Sequence, residues 1–82
     1  MASKIHQLKI LPEYFELVRK GIKNFEVRKN DRDFKVGDGL ILHEWTPDSG
    51  YTGYITNKEI AYILDNPEYC KQGYVILGFK II

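Results

Sequence analysis

Only one segment of this chain carries a helical period, and that limits the folds open to its 82 residues. The segment is "LPEYFELVRKG", residues 11–21. Pro12 suits a first turn, where a missing N–H costs nothing. Glu13 and Glu16 lie near the positive end of the helix dipole, Arg19 and Lys20 near the negative end, and Gly21 can supply a left-handed stop. Leu11, Tyr14 or Phe15, and Val18 are the expected buried stripe. Nearly everything else alternates or punctuates. One helix and five or six short strands predict a mainly β domain, with one or two short helices at most. A curled, mostly antiparallel sheet or small barrel, its helix over one opening, would bury both faces and limit exposed edges.

The strands are read from alternation. "KIHQLKI" sets His6, Leu8 and Ile10 on one face and Ile5, Gln7 and Lys9 on the other. "NFEVRKN" sets Phe25 and Val27 against Glu26, Arg28 and Asn30. "DRDFKVGDG" is turn chemistry, with Phe34 and Val36 as its expected anchors. "GLILHEW" begins apolar on both faces, as a well-covered strand should. "TPDSGYTG" reads as a loop, and "KEIAYILD" and "GYVILGFKII" as two further strands. Between those two lies "NPEYCKQ", where Pro67 opposes any long helix.

Composition supports one globular domain over residues 1–82. The chain is 44% hydrophobic and 28% charged, with eleven aromatics to enlarge a small core. No stretch approaches the roughly twenty apolar residues that cross a bilayer. The N-terminus lacks the apolar core and cleavage site of a signal peptide, and Cys70 is the only cysteine. A soluble cytoplasmic protein without a membrane partner is expected. Net charge is +1, but unevenly spread: residues 1–35 hold nine Lys or Arg against five acids, residues 36–82 three against six. Such asymmetry suggests a basic face able to meet phosphates.

The basic half contains "GIKNFEVR", of the form G-x-K-x-x-E-x-R. Gly21 lets the chain turn sharply out of the helix and frees Lys23 from strict strand phase. Glu26 and Arg28, two apart in a strand, face one side roughly 6.5 to 7 Å apart. A carboxylate between two cations fixes their positions. Arg28 offers a planar fork suited to phosphate or a base edge, and Lys23 a mobile point charge. Glu26 can accept from an exocyclic amine, as acids do with cytosine. The bland alternative is a solvated strand face with a surface ion pair worth about 0 to 1 kcal/mol.

The motif resembles the signature of the ASCH domain, a relative of the PUA domain, with Gly21, Lys23, Glu26 and Arg28 at its fixed positions. "LKILPEYFELVRKG", "KNDRDFKVGD", "LHEW" and "GYVILGF" extend the resemblance over essentially the whole chain, toward a compact ASCH-like branch of bacteria and phages. The resemblance implies a PUA-like β-barrel with a groove beside the helix. It also implies RNA binding, with some relatives acting on modified nucleosides or cleaving RNA.

Other side chains are weighed around that core. Asn30, Asp31, Arg32 and Asp33 suit turns, although Arg32 can add a phosphate contact at the end of the groove. Lys9 can border the groove, and Trp45, with Tyr51 and Tyr54, can stack bases or pack inside. His6, His43 and Cys70 lack metal-ligand spacing, and Asp31 and Asp33 are too few for a calcium loop. No metal and no cofactor are expected. Cys70 is a packed thiol rather than a nucleophile, and no phosphate loop for nucleotide hydrolysis is present. Three functions compete. The first is RNA or nucleotide binding through Lys23, Glu26, Arg28, Arg32, Lys9 and Trp45. The second is a small hydrolase with Lys23 and Glu26 catalytic. Some ASCH-like amidohydrolases use a Thr nucleophile where this chain has Glu26, so Thr52 or Thr56 would have to substitute. The third is a regulatory domain that recognises an acidic peptide.

Overall fold

Alternation along Ile5–Ile10 (β1) places His6, Leu8 and Ile10 inside the molecule and their neighbours outside. In the computed structural model, which describes residues 3–81, this strand leads directly into the helix Pro12–Arg19 (α1). Four strands follow: Phe25–Lys29 (β2), Gly39–Thr46 (β3), Gly50–Leu64 (β4) and Tyr74–Phe79 (β5). They form one sheet in the order β1-β3-β4-β5-β2. β1 runs parallel to β3, and the other three pairings are antiparallel.

The helix rests on β3. Phe15 and Val18, three apart on one helix face, are buried with Leu40 and Leu42 of β3 and with Ile60 and Leu77 of β4 and β5. Each such side chain contributes about 1.5 to 3 kcal/mol of transfer free energy. The expected stripe is narrower than its sequence suggested, since Leu11 and Tyr14 are exposed. Leu11 caps the helix in an extended conformation and so leaves the helical track. Tyr14 is rotated about 100° from Phe15 and turns outward.

β4 is the long element. Its fifteen residues pair with β3 along the first part and with β5 from Ile60 onward. Register shifts at His43/Trp45 and Ile60/Tyr62 mark bulges that bend and twist the strands. The expected loop at 46–53 shrinks to a tight turn at 47–49, closed by the Ser49 amide donating to Thr46 Oγ1 at 2.9 Å. Gly50 adopts φ 73°, which lets the chain re-enter the sheet at once. At the far end β5 stops at Phe79, short of the predicted strand end, and Ile82 lies outside the described residues.

The sheet is open, which corrects the expectation of a closed barrel. β1 and β2 are its two edges, with no ladder between them among the described residues. Side chains occupy that seam instead. Arg28 Nη2 donates to the Lys9 carbonyl, and Arg32 Nη1 donates to the Gln7 carbonyl at 2.9 Å. Carbonyls two apart in a strand point the same way, so both arginines meet one edge of β1.

The connection from β2 to β3 is pinned by a buried pair. Asp38 Oδ2 lies 2.7 Å from His6 Nε2, and the amides of Lys35 and Lys4 donate to the same carboxylate at 3.0 and 3.2 Å. Burial pushes the Asp38 carboxyl up, but the bonds from His6, Lys35 and Lys4 outweigh it and leave the pKa lowered. Phe34 packs edge-on to the His6 ring, with centroids 4.7 Å apart. Val36, the other expected anchor, is exposed. Asp38 does its work.

Candidate anion-binding hollow at the helix-to-strand corner

The corner is built by the way α1 ends. Gly21 takes φ 77°, and its amide donates to the Val18 carbonyl at 3.0 Å. The amides of Ile22 and Lys23 both donate to the Leu17 carbonyl, at 2.9 and 3.1 Å. Asn24 Nδ2 closes the turn on the Gly21 carbonyl at 3.0 Å, and the Phe79 amide donates to the Asn24 carbonyl at 2.9 Å. These bonds satisfy the carbonyls that a helix terminus otherwise leaves free. They also fix where Lys23 begins.

Lys23, Glu26 and Arg28 converge. Lys23 Nζ lies 2.6 Å from Glu26 Oε1 and 2.6 Å from the Phe25 carbonyl. Arg28 Nε lies 3.0 Å from Glu26 Oε2, so each carboxylate oxygen holds one cation. The alternation predicted for β2 is present, but its sense is unusual. Phe25 and Val27 face outward at 43% and 51% exposure, whereas Glu26 is only 5% exposed. Across the ladder Glu26 pairs with Leu77 and Arg28 with Val75, both core residues. The charged side of the strand therefore faces inward, which overturns the bland reading of a solvated ion pair. Desolvating such charges is costly unless partners satisfy them, and here both cations do.

A hollow of about 380 Å³ opens beside Lys23 and Glu26, lined by Tyr14, Lys23, Phe25, Glu26 and Val27; Arg28 does not line it and meets it only through Glu26. The Lys23 ammonium sits 4.8 Å from the Phe25 ring centroid and 5.6 Å from that of Tyr14. Two cations face one carboxylate, so the corner carries a positive excess beside aromatic walls. A larger hollow of about 520 Å³ lies between Asn24, Lys58 and Lys80. Lys80 is exposed, 3.9 Å from Glu59, Lys58 is half-buried, and no fully buried charge lines it. The smaller hollow is the better candidate because inward-facing charge is what packing alone does not explain.

The remaining predicted residues divide. Arg32 lies in the β1–β2 seam, bonded to Gln7 and 3.9 Å from Asp31 Oδ1. Lys9 gives its carbonyl to Arg28 but carries its ammonium to another surface, 4.6 Å from the Trp45 ring centroid. Trp45 is half-buried there and does not line the hollow. Tyr54 lines a third hollow, with Phe15, Glu16, Arg19 and Glu44. Thr52 donates to Glu44 Oε1 at 2.7 Å, and Thr56 stands opposite Leu42, so neither hydroxyl is brought to Lys23. Cys70 donates to the Leu64 carbonyl at 3.3 Å. Among the described residues no group of three His, Cys, Asp or Glu is placed to hold a metal, and no helix is long and apolar enough to cross a membrane.

Two features escaped the sequence. Tyr14, read as an alternative to Phe15 in the buried stripe, and Phe25, given no role in the site, form the walls of the hollow. The His6–Asp38 pair had a signal, since an imidazole on the apolar face of β1 requires a buried partner.

Fold and site together define a small, mainly β domain with one helix and a charged helix-to-strand corner. Residues 5–79 match the family described as a domain of unknown function, DUF3850, and the chain belongs to that family. It is also similar to a protein of Escherichia phage P2 described as an uncharacterized 12.9 kDa protein in the GpA 3′ region. The two are 40% identical over 77 residues, covering 94% of this chain and 69% of the phage protein.

Proposed function

We propose that this domain binds RNA in the cytoplasm, gripping a phosphate or nucleotide at the corner formed by Lys23, Glu26 and Arg28. One observation carries the reading: β2 turns Glu26 and Arg28 inward beside a hollow and leaves Phe25 and Val27 outside. A strand selected for packing would do the reverse. The resemblance of G-x-K-x-x-E-x-R to the ASCH signature supports the same reading, with the curled sheet as an ASCH-type variant of the PUA-like barrel. Glu26 orients the two cations. An incoming phosphate shares Lys23 and Arg28 with it, and the Tyr14 and Phe25 rings border the attached base.

Fluorescence anisotropy with a labelled single-stranded RNA tests this. Wild type is expected to bind at low salt and to weaken as salt rises, with a log–log slope of about −0.7 per phosphate engaged. Lys23→Gln is expected to weaken binding about tenfold, as loss of one charge-assisted contact predicts. Wild-type protein that shows no binding at low salt would end the proposal.

A further inference from the structure

The outer surface of β1, β3 and β4 carries aromatic and cationic groups that the corner does not use. Lys9 and His43 are register partners, as are Trp45 and Tyr51. The Lys9 ammonium lies 4.6 Å from the Trp45 ring centroid and 5.8 Å from that of Tyr51. His43 meets Tyr51 edge-on at 5.7 Å, and its Nε2 is held 2.8 Å from Gln7 Oε1. Tyr51 is 60% exposed. No ion-pair partner of Lys9 occurs among the described residues. Glu44, the nearest acid along β3, bonds Thr52 and lines the hollow beside α1 instead. An unpaired cation between two aromatic faces is therefore presented to solvent.

We infer that this surface is a second contact site, a stacking platform for an unpaired RNA segment whose phosphate is held at the Lys23–Glu26–Arg28 corner. The inference rests on the RNA-binding reading of that corner. Two observations select a nucleic-acid strand as the occupant. The platform combines ring faces, which accept any base, with a cation free to meet a backbone phosphate. It is also linked to the corner through a single residue, since Arg28 bonds the Lys9 carbonyl while the Lys9 side chain serves the platform. A base stacking on Tyr51 or Trp45 displaces the Lys9 ammonium from the rings toward the neighbouring phosphate. A duplex keeps its ring faces covered, so the platform selects single strands.

Trp45 is the only tryptophan in the chain, so its emission reports on the platform alone. Titration of the full chain with an oligouridylate of about eight nucleotides, following anisotropy and Trp45 emission together, separates the two ideas. The expected result is quenching that saturates with anisotropy, an affinity lowered about tenfold by Tyr51→Ala, and retention of affinity by Tyr51→Phe. Lys23→Gln is expected to weaken affinity while leaving the quenching amplitude at saturation unchanged. Binding by anisotropy without quenching, and with Tyr51→Ala equal to wild type, overturns the platform and leaves the corner standing. Equal affinity for a duplex of the same length also overturns it. Absence of any anisotropy change with wild type overturns the corner reading and the platform with it.

Discussion

At the scale of single residues, two buried carboxylates serve different ends. Glu26 is held by two side-chain cations at a concave surface, and Asp38 by an imidazole and two amides beneath a loop. The first leaves positive charge to spare, whereas the second is used up in holding the chain together. Asp38 consequently makes a stability prediction rather than a binding one. Its carboxyl is pulled below the ordinary value of 3.8, its bonds from His6, Lys35 and Lys4 outweighing the opposite push of burial. A carboxyl whose folded pKa is depressed contributes stability that is present above its unfolded pKa and lost as pH falls through the folded one. Urea midpoints measured from neutral pH down through 3.8 should fall in that acid window for wild type. Asp38→Asn should be less stable by about 1 to 3 kcal/mol at neutral pH, from loss of its charged hydrogen bonds, and should show a flatter acid limb. Identical acid limbs for the two proteins would assign the acid sensitivity to other groups.

At the scale of elements, the corner depends on how α1 stops. Gly21 stands at φ 77° with open space around the position of a Cβ, so substitution there is a matter of backbone conformation and not of collision. Gly21→Ala should cost about 1 kcal/mol, with Gly21→Asn costing less because asparagine tolerates the left-handed region. Thermal unfolding of the three proteins checks the order, and an alanine variant as stable as wild type would show that the turn can close another way. This stop was legible because its signals are local: Pro12 at one end, Gly21 at the other, and charges matched to the dipole between them. β2 was only half legible. Alternation fixes which residues share a face, so Glu26 and Arg28 were placed together correctly. It does not say which face turns inward, and ordinary hydrophobic reasoning favours Phe25 and Val27. The side was decided by ladder partners on β5, contacts that local pattern does not carry. Trp45 shows the same limit. Its nearness in sequence to Tyr51 was visible, but the pairing of β1 with β3 sends it to the outer surface with Lys9.

At the scale of the whole molecule, the open seam between β1 and β2 is where the fold departs from a closed barrel. The sequence suggested closure, since a small mainly β chain gains by removing edges. What the chain does instead is hold its edges with Arg28 and Arg32, each bonded to a carbonyl of β1. A ladder would join the edges through many cooperative backbone bonds, whereas these two clasps are long side chains at partly open sites. Arg28 is moreover shared: its Nε serves Glu26 while its Nη2 serves Lys9. Were the proposed ligand to draw Arg28 into the hollow, the clasp would have to loosen, so the proposed binding and seam opening would share one guanidinium. The clasps hold β1 only from its free edge, whereas β3 holds it along the ladder from Ile5 to Ile10. Loss of both clasps should therefore raise the frequency of local β1 opening without unfolding the β3–β4–β5 core. Hydrogen exchange of the Arg28→Ala, Arg32→Ala double variant is expected to show faster exchange over residues 5–10 and 25–29, with the amides of β4 and β5 that pair with each other unchanged. Uniform acceleration across the chain would mean that the arginines support global stability instead. Unchanged exchange at β1 would mean that its ladder with β3 is sufficient and that the seam has no mechanical role.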